Sequence, residues 1–167
     1  MGQGLTPWMQ LKVAQLLDYA QSIGLDPTML GPDAGFRTCQ RQNEILAGGA
    51  GTATTVGGCH SWHVWGRAVD LRIPGDRLAD YRALGEWWEA QGGVWGGRWT
   101  TPQDPGHFEW HPDLSIHDVC PTGTECPDPS QPWPDDRPPL QRPGIQLLLG
   151  LGLAGGGIYL ARRLARV

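Results

Sequence analysis

From Cys120 to Pro143 inclusive the chain holds eight prolines, with Asp, Ser, Gln and Thr among them. Proline lacks the backbone N–H that helix interiors and inner strands require, so this stretch favours an extended, polyproline-like path over packed structure. It confines the compact part of the chain to what precedes it. The 167 residues are therefore expected to divide into a folded domain over 1–119, a Pro-rich linker over 120–144 and a C-terminal piece over 145–167. About 120 residues is an ordinary size for one domain around one core.

Within that domain the hydrophobic periodicity alternates between helical and extended. Thr6 and Pro7 read as an N-cap and first helical residue, after which Met9, Val13, Leu17, Ala20 and Ile23 recur at helical spacing until Gly24. A second helix is expected over Thr38–Ala47 and a third over Asp76–Gln91. In Ala68–Ile73, Val69, Leu71 and Ile73 alternate with Ala68, Asp70 and Arg72, as a strand buried on one side requires. The run His107–Trp110 alternates likewise, with His107 and Glu109 on one face and Phe108 and Trp110 on the other. Gly/Thr-rich 48–58 and the glycines at 92, 93, 96 and 97 read as loops. The expected fold is α+β: a small antiparallel sheet flanked by helices, with a Pro-rich linker and a C-terminal apolar helix.

Charge narrows the partners. A formal net charge of -4, with no basic stripe before Arg162, argues against nucleic acid, whose phosphates demand a clustered basic surface. Four cysteines, Cys39, Cys59, Cys120 and Cys126, show no C-x-x-C pair and no structural zinc spacing. They are compatible with free buried thiols or with two disulfides, Cys39 to Cys59 and Cys120 to Cys126, in an oxidising compartment. Met1–Pro7 shows neither the basic start nor the apolar run of a secretory leader.

The chemistry concentrates in two short stretches rich in Trp and His. Ser61-Trp-His63-Val-Trp-Gly66-Arg-Ala68-Val-Asp70 sets an imidazole at a loop end and a carboxylate on a strand. Asp104-Pro-Gly-His107-Phe-Glu109 supplies a second imidazole on a strand, with a carboxylate three residues before it on a tight turn. Two His and one Asp suffice for a catalytic zinc, which keeps a fourth position for water. The metal acidifies that water and polarises a carbonyl, and a nearby base must still accept the proton. Asp104 is the candidate base. Glu109 shares the face of His107 and reads instead as a group that orients a ligand. His60, His111 and His117 stand outside the spaced motifs and read as packing or hydrogen-bonding histidines. Trp95 and Trp99, in the Gly-rich loop, are candidates for the wall of a substrate cleft, and Trp87 and Trp88 for the core.

These motifs, in this order, resemble the signature of the LAS-type metallopeptidases, which include D-alanyl-D-alanine carboxypeptidases and phage L-alanyl-D-glutamate endopeptidases. Upstream Gly35-Phe-Arg37-Thr is similar to that family's Gly-Tyr-Arg-Ser, and Trp95-Gly-Gly-x-Trp99 precedes the second His. The resemblance spans Gly35 to Trp110. It implies Zn2+ held by His63, Asp70 and His107, Asp104 as general base, and Arg37 and Ser61 in contact with the peptidoglycan stem peptide, Arg37 also stabilising the developing oxyanion. Asp rather than Glu at the base position resembles the endopeptidase branch. The expected activity is therefore L-alanyl-D-glutamate endopeptidase, endolysin-like. A D-alanyl-D-alanine carboxypeptidase and a virion- or membrane-associated wall-binding protein with little turnover are the alternatives.

Beyond the linker, Ile145–Ala161 is almost wholly apolar and is followed by Arg162, Arg163 and Arg166. That pattern predicts a C-terminal membrane anchor, with the arginines on the cytoplasmic side and the enzyme facing the wall or housed in a membrane-containing particle. Gly152 and Gly156 would permit close pairing of two such helices, so a second copy or a virion component joins the stem peptide and the membrane among the expected partners.

Overall fold

The structure, a computed structural model, describes residues 4–48, 57–128, 130, 131 and 133. The expected C-terminal helix over 145–167 and most of the linker lie outside the described residues. Among the described residues no helix is long and apolar enough to cross a membrane.

The fold is α+β. Helix α1 spans Pro7–Ser22, with the Thr6 hydroxyl accepting from the Met9 amide at 3.3 Å to satisfy one of the free N–H groups of the first turn. It buries Met9, Val13, Leu16 and Ala20. Ile23 is its C-cap and lies exposed, so the last expected position of the apolar stripe falls outside the helix. Helix α2 covers Cys39–Gly48, and α3 covers Leu78–Ala90 with Tyr81, Leu84 and Trp88 inward. A short α4 runs Ile116–Val119.

Four short strands form one antiparallel sheet in the order β1-β2-β4-β3, where β1 is Thr28–Met29, β2 Ala68–Arg72, β3 Val94–Trp95 and β4 His107–Glu109. The β2–β4 register sets Asp70 opposite His107 and Val69 opposite Phe108. Because side chains alternate across a strand, that register sends Val69 and Phe108 into the core and Asp70 and His107 to the other face. β3 falls within the Gly-rich stretch read above as a loop and β1 in a stretch to which the sequence assigns no element, since two residues are too few to display alternation.

The core gathers α1, α3 and the inner sheet face around Trp88, Phe108, Trp110, Leu84 and Leu71. Trp88 meets Phe108 and Trp110 edge-on, with centroids 5.8 and 5.2 Å away, and its indole N–H donates to the Glu109 carbonyl at 2.8 Å. The backbone of the β4 site residues is thus pinned from the core side.

Both disulfides differ from the local pairing considered above. Cys39 joins Cys126 and Cys59 joins Cys120, across 87 and 61 residues. Pairing follows spatial neighbourhood, and folding brings the segment after α4 back against α2 and the turn Gly58–His60. The described residues all fall within one compact unit, Met1–Pro134. Trp133 donates its indole N–H to the Gly4 carbonyl at 2.6 Å and lies edge-on to Phe36.

Candidate metal centre

Three elements deliver the site. His63 follows the turn Gly58–His60, in a series of backbone turns ending at Gly66, whose φ of +64° suits glycine. Asp70 comes from the middle of β2 and His107 from the start of β4. The loop before α2 is stitched to both, since the Asp70 amide donates to the Ala34 carbonyl at 2.7 Å and the Arg37 amide to the His63 carbonyl at 3.2 Å. On the far side the turn Asp104–His107 lies against β2, with Gly106 so close that a Cβ there would sit 2.6 Å from the Leu71 carbonyl oxygen.

One ligand atom from each of His63, Asp70 and His107 lies within 4.8 Å of the other two. Asp70 Oδ1 is 3.3 Å from His63 Nε2 and 2.8 Å from His107 Nδ1. Each imidazole is held from behind: His63 Nδ1–H donates to the Gly35 carbonyl at 2.7 Å, and His107 Nε2–H to Glu109 Oε1 at 3.0 Å. Ligating histidines take this arrangement, in which the outer nitrogen fixes the tautomer and the inner one faces the metal. Two imidazole nitrogens and a carboxylate oxygen are also the donor set of catalytic zinc. A divalent metal fits these residues.

The electrostatics differ from group to group. Burial lowers the pKa of His63, although Asp70 works in the opposite sense. At His107 burial is outweighed by hydrogen bonds to Asp70 and Glu109, which raise it to about 9. Burial opposes ionisation of Asp70 and Glu109 as well, yet their histidine partners prevail. Asp70 is held well below the usual carboxylate range and Glu109 at about 2. Asp104 goes the other way, raised mainly by desolvation with the Asp70 charge adding to it. A carboxyl displaced towards neutrality and lying beside the ligands is suited to take and return a proton.

The site opens into a cavity of about 350 Å³, lined by Ser61, Asp104 and Arg37 with Trp99, Thr101 and Ile116 on its walls. Arg37 is buried, paired through Nη2 with Asp70 Oδ2 and donating through Nη1 to Gln42 Oε1 at 3.1 Å. Trp99 tilts over His107 with centroids 5.0 Å apart. Trp95, the other tryptophan expected to line the cleft, belongs to the core. It is 2 % exposed, and its indole N–H donates to the Pro105 carbonyl at 2.8 Å, because strand β3 turns it inward. Gln42 is a site neighbour that sequence reasoning did not single out, and His111, read from the sequence as a packing or hydrogen-bonding histidine, stacks on Trp62 and bonds to Glu109 beside the site. His111 had a signal, since His107, Glu109 and His111 follow at every second position along one extended run.

Residues 54–110, which include His63, Asp70 and His107, match the family model Peptidase M15, described as D-alanyl-D-alanine carboxypeptidase. Over this third of the chain the sequence is similar to the M15, or LAS-type, peptidases. The three side chains that could together hold a metal ion all fall within the matched residues. Among solved structures, the chain is similar to the vancomycin-resistance D,D-pentapeptidase VanY of a VanB-type cassette, a mutant in complex with Zn(II). The identity is 22 % over 72 % of this chain and 80 % of that one, with a TM-score of 0.49. It is likewise similar to the L-Ala D-Glu endopeptidase ChiX of Serratia marcescens, at 24 % identity over 69 % of this chain and 84 % of that one, TM-score 0.49. A third, the LD-carboxypeptidase LdcB, is 16 % identical over 69 % of this chain and 74 % of that one, TM-score 0.47. No curated protein matches the chain.

Proposed function

We propose that this chain is a LAS-type zinc peptidase and an endopeptidase of the peptidoglycan stem peptide, cutting an internal bond of the L-alanyl-D-glutamate kind, with His63, Asp70 and His107 as the zinc ligands and Asp104 as the general base. The observation that carries the metal assignment is the convergence of His63 Nε2, Asp70 Oδ1 and His107 Nδ1 at the floor of the cavity that Asp104 also lines. Zinc, when bound, supplies Lewis acidity that polarises the scissile carbonyl and acidifies water. The chain's own residues do the rest. Asp104 takes the proton of the attacking water and passes it to the departing amine. Glu109 and the Gly35 carbonyl keep the two imidazoles aimed, and Arg37 holds the second oxygen of Asp70. Ser61 and the face of Trp99 border the path of the peptide.

The choice of an internal bond rests on charge. A carboxypeptidase must accept a free terminal carboxylate, for which a cation in the cleft is the usual partner. Among the described lining residues the only arginine or lysine is Arg37, and it is engaged by Asp70 and Gln42. Residues 49–56, outside the described set, contain no Lys or Arg. Mass spectrometry of the products released from purified sacculi tests this choice. New amino termini within the stem peptide are expected, whereas free D-alanine as the sole product would assign the enzyme to the carboxypeptidases.

Attachment to a membrane through 145–167 is a companion proposal resting on sequence alone. Full-length protein should remain in carbonate-washed membranes, and a chain ending at Pro143 should not. Recovery of the full-length chain in the supernatant would refute the anchor.

A further inference from the structure

His111 takes no part in the chemistry above, yet its surroundings are built. Its ring stacks on Trp62 with centroids 4.1 Å apart and planes 9° from parallel. Its Nδ1 faces the Leu114 carbonyl at 3.1 Å, and its Nε2 faces Glu109 Oε2 at 2.9 Å. The Leu114 carbonyl is itself placed by a turn in which the Leu114 amide donates to the His111 carbonyl at 3.1 Å and Asp113 adopts a φ of +66°. The imidazole is therefore fixed on one face by an indole and at both nitrogens by acceptors.

What this fixed ring holds is Glu109. That carboxylate has one oxygen on His111 and the other on His107 Nε2 at 3.0 Å, so its rotation about the last side-chain bond is set from both ends. Without His111 one oxygen of a buried carboxylate would lose its partner, and the group would turn to recover one. His107 would turn with it, since its outer nitrogen follows Glu109. Trp62 adds a second link, because it immediately precedes His63 in the chain. One imidazole thus braces the segments that carry both histidines of the centre.

We propose that His111 is a positioning residue for the metal centre, acting through Glu109 on His107 and through the Trp62 stack on the segment of His63. The proposal rests on the assignment of His107 as a zinc ligand. It requires that loss of the His111–Glu109 bond weaken zinc binding itself, by about tenfold, at the lower end of the effect of outer-shell partners on metal affinity.

The test is zinc affinity of the full-length chain, measured by competition with a chromophoric chelator, alongside kcat and KM on a stem-peptide substrate. His111→Phe retains a ring for Trp62 and removes the hydrogen bonds, and should raise the zinc Kd about tenfold and lower kcat with little change in KM. His111→Gln, whose amide can still donate to Glu109, should hold zinc within about threefold of the wild type. His111→Asn, polar but too short to reach Glu109, is the second loss variant should the Phe form not fold, with the same loss expected. In a Glu109→Gln background either loss variant should add nothing further. Wild-type zinc affinity in the folded loss variants overturns the proposal, as does full additivity with Glu109→Gln. His107→Ala separates the two layers: full zinc binding there would refute the ligand assignment, whereas loss there with no effect at His111 would refute positioning alone.

Discussion

The two halves of the metal centre are built by different means. Asp70 and His107 stand on paired strands whose opposite face is packed by Trp88, Phe108 and Trp110. Arg37 and His63 stand on turns and loops, where backbone hydrogen bonds and two disulfides do the bracing: Cys39 lies two residues after Arg37, and Cys59 four before His63. The acceptors differ as well. His63 leans on a neutral carbonyl and keeps a lowered pKa, whereas His107 leans on a carboxylate and has a raised one. Two histidines facing one carboxylate are thus held in one geometry at unequal basicity. Rigidity in one half comes from hydrophobic burial, and in the other from covalent closure.

The largest effects should come from the ligands, and there the halves should behave alike. His63→Ala and His107→Ala are each expected to weaken zinc binding by more than about 100-fold, beyond what outer-shell changes cause, and to abolish digestion of sacculi. Full zinc occupancy in either variant by metal analysis would break the symmetry. Next come the carboxylates of the strand side. Asp104→Asn should keep zinc and lose activity by about 10²–10⁴, the usual contribution of a general base. Glu109→Gln should instead lose zinc affinity, by about 10–100-fold. A Glu109→Gln enzyme that binds zinc normally but does not turn over would make Glu109 the base.

The disulfides test the loop half alone. In the chain-entropy view, closures of 87 and 61 residues are worth about 4–5 kcal/mol each. Replacing Cys59 and Cys120 together by Ser should therefore cost stability of that order or somewhat less. Hydrogen exchange should quicken over 57–66 and remain slow over β2 and β4, which the core holds. Equal loosening of both halves would show that covalent closure supports the strands too.

The smallest effect expected is on the pH dependence of stability in the metal-free protein. Glu109, held at about 2 against an ordinary 4.5, adds stability that is present above pH 4.5 and lost as pH falls towards 2. His107, raised from 6.5 to about 9, adds stability that is present below pH 6.5 and lost as pH climbs through 9. His63 has the opposite sign on the acid side, since its lowered pKa makes protonation below pH 6.5 a cost of folding. Thermal melts in chelator should decline between pH 6.5 and 9, and Glu109→Gln should move that decline to lower pH. A flat alkaline limb would remove the difference in basicity between the two histidines.

The amino-acid sequence by itself determined the first helix down to its Thr6 cap, the two site strands with their inward and outward faces, and the spaced residues that meet at the centre. These were legible because caps, alternation and ligand spacing are local: each is written within a few positions of the chain. It did not determine that Trp95 packs inward while Trp99 faces the cleft, that Gln42 backs Arg37, or which cysteines pair. Those outcomes depend on contacts between residues far apart in sequence, such as the return of the chain after α4 to Cys39 and Cys59. The role of His111 lies between the two. It stands two positions beyond Glu109, just past the end of β4, and reads from the sequence as a packing or hydrogen-bonding histidine, but its hold on Glu109 required the turn to Leu114 and the indole of Trp62. Only tertiary structure decides such cases, because a side chain is fixed by the neighbours on all its sides, and sequence order names only two of them.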